Sequence, residues 1–131
     1  MAYWKFLDYI TEGHRNPILD WYGTVDKEVR ASFDVLIQEL IGTEDWDAPK
    51  PAKRKYRMLK LQHAGMCELI FKVGTRKFRP LGILDRHNKA FIFLGACEHQ
   101  RMNSIPPNAF DEAFRLKVQF DQQRGATREH I

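Results

Sequence analysis

The sequence lacks the features that mark several common classes of protein. It has two cysteines in 131 residues, too few for a disulfide framework, which favours a reducing compartment such as the cytoplasm. No apolar run approaches the roughly 18–20 residues that a membrane span needs. The N-terminal segment contains acidic residues and no apolar block before a small-residue cleavage site, so we expect no secretory signal. A Gly-rich phosphate loop and the G-x-S-x-G and H-E-x-x-H motifs are also missing.

What the sequence does contain is enough apolar material for one folded domain. Hydrophobic residues make up 44% and aromatic residues 12% of the chain, which excludes wholesale disorder. The length is close to the commonest domain size. We expect a single domain over residues 1–124 and a flexible tail over residues 125–131.

The charges are distributed unevenly along the chain. Residues 1–49 carry 4 Lys/Arg and 10 Asp/Glu, residues 50–101 carry 13 and 3, and residues 102–131 carry 4 and 4. A strongly basic middle segment indicates a polyanion or an acidic protein as partner. The alternative is that these basic residues are scattered over a solvated surface.

Hydrophobic spacing and turn residues predict an α+β fold. An N-terminal strand over residues 3–11 is followed by Asn16 and Pro17, which are typical of a helix start. An apolar stripe then predicts a long helix that ends at Gly42, and Gly23 could divide it into two. A loop over residues 43–51 and a basic stretch over residues 53–62, either a short helix or an approach to a strand, come next.

Three short-turned strands and a closing helix complete the prediction. The strands cover residues 66–73, 77–84 and 90–97 and form a three-strand antiparallel meander. The last helix runs from about residue 108 to residue 123.

The predicted meander brings basic side chains together at one end of the sheet. The first strand ends, the second begins and the third ends at that edge, and alternation along strands sorts the side chains by face. We expect a basic patch there, with one imidazole that titrates near neutral pH, made of Lys72, Lys77, Arg79, His99 and Arg101. Such a patch suits RNA, because cations bind phosphate oxygens and an imidazole can move a proton. The alternative is a set of solvated strand and loop residues.

A metal site is the weaker interpretation of the same region. His63, Cys67, Cys97 and His99 have ligand types in suitable spacing. The meander would place the two cysteines far apart along the sheet, which argues against both a metal site and a disulfide. We therefore expect no metal and no cofactor, and two buried cysteines that act as small apolar residues.

The order of elements and several short motifs resemble the RelE/ParE toxin superfamily, nearest the HigB-like, phage-associated toxins. The matching pieces are Tyr56-Arg57-Met58-Leu59, Met66-Cys67-Glu68-Leu69, Phe78-Arg79, Phe91-Ile92-Phe93-Leu94-Gly95, Gln100-Arg101, Pro106 and Ala113-Phe114-Arg115. They cover roughly residues 4–120. The arginine that follows "E-L" in the family is Ile70 here, and of the family's later basic pair only Arg101 is kept.

The resemblance implies a RelE-like fold and the toxin component of a type II toxin-antitoxin system. The implied activity is a metal-independent endoribonuclease that cleaves mRNA, commonly on the ribosome, by attack of the 2′-OH. Arg79 would hold the scissile phosphate, Lys72 and Arg101 would share its charge, and His99, or less surely Glu98, would move protons. Candidate substrate-binding residues are Arg57, Lys60, Arg76 and Lys77.

The resemblance also implies partners, and two other functions remain as alternatives. A cognate antitoxin and mRNA are the implied partners, and no membrane is involved. One alternative is a toxin or phage protein on the same fold that binds and inhibits a target such as gyrase without catalysis. An unrelated small α+β nucleic-acid-binding module is the third.

Overall fold

The computed structural model describes residues 2–48, 50 and 53–130, which form one mixed sheet between two helical layers. The elements in chain order are β1 Lys5–Ile10, α1 Pro17–Tyr22, α2 Lys27–Ile41, β2 Tyr56–Met58, β3 Cys67–Leu69, β4 Phe71–Val73, β5 Arg76–Asp85, β6 Ala90–Gln100, β7 Asn103–Ile105, α3 Ala109–Asp121 and β8 Ala126–Glu129. A 3-10 turn over Leu61–His63 lies between β2 and β3. Within the described residues, no helix is long and apolar enough to span a membrane.

The sheet is larger than the three-strand meander that the sequence predicts. The predicted α+β class is correct, and the three expected strands are antiparallel neighbours. They lie, however, in an eight-stranded mixed sheet of order β2-β3-β5-β6-β1-β8, with β4 on β5 and β7 on β6, and β1 runs parallel to β6. The first expected strand is broken at Ile70, whose amide donates to the carbonyl of Lys55.

The predicted long helix is two helices. Asn16 caps α1 by accepting a hydrogen bond from the amide of Leu19, as its type and place before Pro17 predict. Gly23 ends α1, and Asp26 starts α2 by accepting from the amide of Val29. The apolar spacing continues across the break, and the division at Gly23 that the sequence allowed is confirmed. The loop expected over residues 43–51 includes Pro49 and Pro51, which lie outside the described residues.

The C-terminal segment is not the flexible tail that we expected. β8 pairs antiparallel with β1, with Leu7 opposite Glu129 and Ile10 opposite Ala126. The ring of His130 then lies with Nδ1 2.7 Å from an oxygen of the buried Asp8. The segment carries few apolar residues, and it is held instead by backbone pairing and by this one side-chain hydrogen bond.

Two apolar cores lie on opposite faces of the sheet. The larger packs against α1 and α2, and we call that side the α1–α2 face; its rings include Phe6, Phe33, Phe71, Phe78, Phe91 and Phe93. The smaller packs against α3, on what we call the α3 face, and includes Met66, Leu81, Ile92, Leu94, Cys97 and Leu116. Because the sheet is covered on both faces, its central strands are apolar on both sides.

A bulge in β6 decides which of its side chains reach each face. The register passes from Leu81 opposite Gly95 to Gly82 opposite Phe93, so that Leu94 is the extra residue. Gly82 is required there, since a Cβ would lie 2.3 Å from the carbonyl oxygen of Ile92. The alternation along β6 is therefore reversed after the bulge.

Candidate nucleic-acid interface

Three nitrogen-bearing side chains stand in a row across neighbouring strands on the α3 face. Lys72 of β4 lies opposite Lys77 of β5, and Lys77 lies opposite His99 of β6. Directly opposed residues have their Cβ atoms roughly 4.5–5.5 Å apart. We call Lys72, Lys77 and His99 the basic row. The row continues onto β7, where Ser104 lies opposite His99.

The bulge in β6 is what completes the row. Phe93 lies on the α1–α2 face, and simple alternation from it would put His99 on that face too. The extra residue at Leu94 reverses the order, so Cys97 packs in the core under α3 and His99 follows on the same face. The imidazole thus stands beside Lys77 rather than behind it.

The charges of the basic row are open to solvent. Lys72 is exposed, and Lys77 and His99 are half-buried. Among the described residues, no carboxylate lies within 4.0 Å of the Lys72 or Lys77 ammonium. Directly opposed like charges repel, so the row is a site where a bound anion would relieve repulsion.

Arg101 lies at the tip of the β6–β7 turn, past the end of the row. Its φ is +54°, a left-handed conformation that is uncommon for a residue with a side chain. The side chain is exposed, as is that of the next residue, Met102, at 93%. Arg101 is thus at the edge of the expected patch, with its side chain accessible to a ligand.

Arg79 lies on the same face as the basic row but is paired with a buried acid. It stands opposite Cys97 on β6, and its Nη1 is 3.4 Å from Oε2 of Glu68. The other carboxylate oxygen of Glu68 is 2.6 Å from Nη2 of Arg57 on β2. Arg79 and Arg57, two predicted site residues, therefore share one carboxylate that the sequence analysis did not assign to the site.

Arg76 and Glu98, two of the candidate residues, lie on the opposite face from the basic row and contact each other there. Arg76 donates two hydrogen bonds to Glu98, of 3.1 and 2.9 Å, and one of 3.0 Å to Asp26 at the start of α2. The hydrogen bonds from Arg76 hold the pKa of Glu98 below its usual range. The backbone amide of Val29, and then Arg76, lower the pKa of Asp26. Arg76 is next to Lys77 in the chain and Glu98 is next to His99, so the alternation of side chains along a strand places both on the other face.

Lys60 and the two cysteines contribute nothing to the basic row. Lys60 is exposed in the loop between β2 and the 3-10 turn, away from the paired strands. Cys67 packs in the core of the α1–α2 face and Cys97 in that of the α3 face, and burial raises the pKa of each thiol to about 12. Within the described residues, no group of three or more His, Cys, Asp or Glu could hold a metal ion.

A separate cavity of about 300 Å³ lies between α1 and α3 beside the bulge. Its floor is one edge of β6 at residues 94–96. Along that edge, β1 pairs with the part of β6 that precedes these residues, and β7 pairs with the part that follows them. Two ion-paired couples stand on its wall, Arg15 with Asp20 and Arg115 with Glu112. None of the residues of the basic row lines it.

Glu68 is the site residue that sequence reasoning missed, although a signal was present. Alternation along the first expected strand puts Glu68 on the same face as Lys72, and it is one of only three acidic residues in the basic middle segment. A lone acid on a basic face is a candidate partner for its arginines. The signal for the bulge was weaker, a single glycine at Gly95 within an apolar run.

Comparison with known proteins supplies no family for this arrangement. No family model matches the chain, and neither the curated proteins nor the solved structures contain a match.

Proposed function

We propose that this protein is the toxin component of a type II toxin-antitoxin system and that it cleaves mRNA with the α3 face of its sheet. The observation that carries the proposal is the basic row, in which the His99 imidazole stands directly beside Lys77, and Lys77 beside Lys72, with no acidic partner for either lysine among the described residues. The resemblance of the sequence motifs to the RelE/ParE superfamily supports the choice of RNA.

The row fits the charge of an RNA backbone. Lys72 and Lys77 present two cations on adjacent strands, with Arg57 exposed farther along the same face. Neutralising phosphates with lysine and arginine supplies most of the affinity for RNA and makes that affinity fall with salt. Arg101, on an exposed turn at the same end of the sheet, would contact the adjoining phosphate.

The row also fits cleavage by the RNA's own 2′-OH. The 2′-oxygen forms a bond to phosphorus while the bond to the 5′-oxygen breaks, which leaves a 2′,3′-cyclic phosphate and a 5′-OH. His99 takes the proton from the 2′-OH or gives one to the leaving oxygen. Lys77 and Lys72 stabilise the extra negative charge at phosphorus, so a bound metal ion is not required by this scheme.

The partners and location follow from that activity. The basic middle segment would attract an acidic segment of an antitoxin, and the mRNA would be cut in the cytoplasm, on the ribosome. A mixture of the purified chain with the product of the neighbouring gene tests the first point, and a lack of affinity between them counts against it.

A second candidate is a non-catalytic protein that binds and inhibits a target such as gyrase. The pairing of Arg79 with Glu68 favours it, because Arg79 is the residue that the resemblance would place on the scissile phosphate, yet its side chain is only 16% exposed and already contacts an acid.

Cleavage of a labelled RNA tests the proposal. A single-stranded oligonucleotide is incubated with wild type, His99→Ala, Lys77→Ala and the control Lys27→Ala in the presence of EDTA. Lys27 is an exposed lysine at the start of α2. We expect a 2′,3′-cyclic phosphate from wild type and the control, a fall of about 10²–10⁴-fold for His99→Ala with binding kept, and weaker binding for Lys77→Ala with a salt slope shallower by about 0.7.

Primer extension on total mRNA after brief induction extends the test to the cell. New 5′ ends in wild type that vanish in His99→Ala and Arg79→Ala support the nuclease. Growth arrest with intact mRNA supports the non-catalytic inhibitor. An unharmed cell and an uncut oligonucleotide refute both.

A further inference from the structure

Glu68 is an unusual acid in this fold. Among the described residues, two acidic side chains are fully buried, Asp8 and Glu68. Asp8 has hydrogen-bonding partners in His130 and Asn16 that tie the ends of the chain together. Glu68 is in the middle of the short strand β3, opposite Leu81 of β5, and no element of the fold depends on it for a cap or a turn.

The surroundings of Glu68 are two guanidinium groups. Arg57 approaches one carboxylate oxygen at 2.6 Å and Arg79 the other at 3.4 Å. Neither contact has hydrogen-bond geometry, and Nε of Arg79 is also buried without a hydrogen-bond partner among the described residues. One negative charge is thus held between two positive ones that it does not fully satisfy.

A buried carboxylate is costly unless it is paired, and the pairing of Glu68 is incomplete, because neither of its oxygens has a hydrogen-bond partner among the described residues. The two arginines differ in exposure, with 60% of the Arg57 side chain and 16% of the Arg79 side chain accessible. Each keeps donors that Glu68 does not occupy. The trio carries a net positive charge on the face that also carries the basic row.

We propose that Glu68 is a positioning residue, which fixes the guanidinium groups of Arg57 and Arg79 so that their remaining donors meet RNA phosphates. This inference rests on the proposed function. Glu68 makes no contact with RNA itself. It acts by removing the rotational freedom of two long side chains before the substrate arrives, which lowers the barrier to the chemical step more than it strengthens binding.

Replacement of the acid by its amide separates this role from a purely structural one. In Glu68→Gln the anchor charge is lost and the protein gains one positive charge. We expect single-turnover cleavage of the labelled oligonucleotide to fall at least about tenfold. The Kd for the same RNA stays equal or becomes tighter, with a salt slope steeper by up to about 0.7. Glu12→Gln is the matched control, since Glu12 is a half-exposed carboxylate that is ion-paired with Arg124 beside the β1–β8 edge of the sheet.

A second variant keeps the test decisive if Glu68→Gln fails to fold. Arg57→Lys preserves the charge of an exposed residue but loses the planar fork that can hold an acid and a phosphate at once. It should show the same split, with slower cleavage and unchanged affinity. Unchanged cleavage in a folded Glu68→Gln, or in Arg57→Lys, overturns the inference, as does a parallel loss of cleavage and affinity.

The outcome for wild type separates this inference from the proposed function. If wild type cleaves the RNA and the variants match it, only the role of Glu68 is refuted. A wild type that binds RNA without cutting it, or does neither, refutes the nuclease and the positioning role together.

Discussion

The basic row on the α3 face and the charged groups of the α1–α2 face differ in how they are paired, although the same strands supply both. On the α1–α2 face, the charged groups next to the core are paired, as in the fork of Arg76 on Glu98 and Asp26 and in the contact of His130 with Asp8. On the α3 face, Lys72 and Lys77 stand side by side. The first arrangement stabilises a fold, whereas the second is stabilised only when an anion arrives.

The difference follows from what covers each face. Two helices and a cluster of packed aromatic rings cover the first, including Phe33 against Phe71 and Phe93. One helix covers the second, and its buried residues are small or aliphatic, Ala109, Ala113 and Leu116. The end of the α3 face that carries the basic row is left accessible.

The largest expected effect comes from breaking the α1–α2 face. Phe33 is fully buried and its ring lies within 6.1 Å of those of Trp21, Tyr22, Phe71, Phe93 and His130. Phe33→Ala should lower the free energy of unfolding by about 3–5 kcal/mol. Urea denaturation measures this loss. The RNA affinity of the remaining folded protein should be that of wild type, and a specific loss of affinity would show that the faces are not independent.

The buried pair at the chain ends comes next. His130→Ala leaves the carboxylate of Asp8, which is fully buried, with Asn16 as its remaining hydrogen-bond donor. We expect a loss of about 1–3 kcal/mol in the free energy of unfolding. Amide hydrogen exchange should show faster exchange along β8 and the paired edge of β1. Protection equal to that of wild type would mean that backbone pairing alone holds the segment.

Loss of the Arg76 guanidinium should have the smallest effect on stability of the three changes. Arg76→Gln removes a cation one residue from Lys77, but on the other face, so RNA affinity should stay at the wild-type value at every salt concentration. Its melting temperature should fall modestly at pH 7. Arg76 lowers the pKa of Glu98 in the folded state, and the backbone amide of Val29 together with Arg76 lowers that of Asp26. Such carboxylates stabilise the fold above their unfolded pKa, and this contribution is lost as the pH falls through the folded pKa.

The melting curves of Arg76→Gln and wild type should therefore converge on acidification. A gap that is constant from pH 7 into the acid range would assign the loss to packing of Arg76 over the Phe78 ring. RNA affinity reduced as much as in Lys77→Ala would overturn the division of charges between the two faces.

Local signals in the sequence predicted much of this arrangement. Asn16, Gly42 and the short turns set the ends of elements, and strand ends that meet at one edge brought Lys72, Lys77 and His99 together. The alternation of side chains along a strand predicts less than the turns do. It should have separated Arg76 from Lys77, and it cannot detect a bulge, which in β6 decides the face of every later residue.

Long-range pairings were beyond the sequence for a different reason. The sequence of β8 is typical of a polar tail, and all of its residues are exposed in the structure. The strand forms because it pairs with the edge of β1, which no local sequence pattern predicts. Likewise, Glu68 becomes a site residue only when β2 and β5 bring an arginine from each side.

The pairing of β8 with β1 also has a consequence for synthesis. Asp8 and His130 are 122 residues apart in the chain, so the outer edge of β1 has no partner while the rest is being made. At rates of roughly 5–20 residues per second, that edge stays open for about 6–24 s on each ribosome. An unpaired strand edge is a template for other chains. The nascent chain is thus most prone to aggregate through this edge before β8 emerges, and the pairing of β8 with β1 then covers the edge.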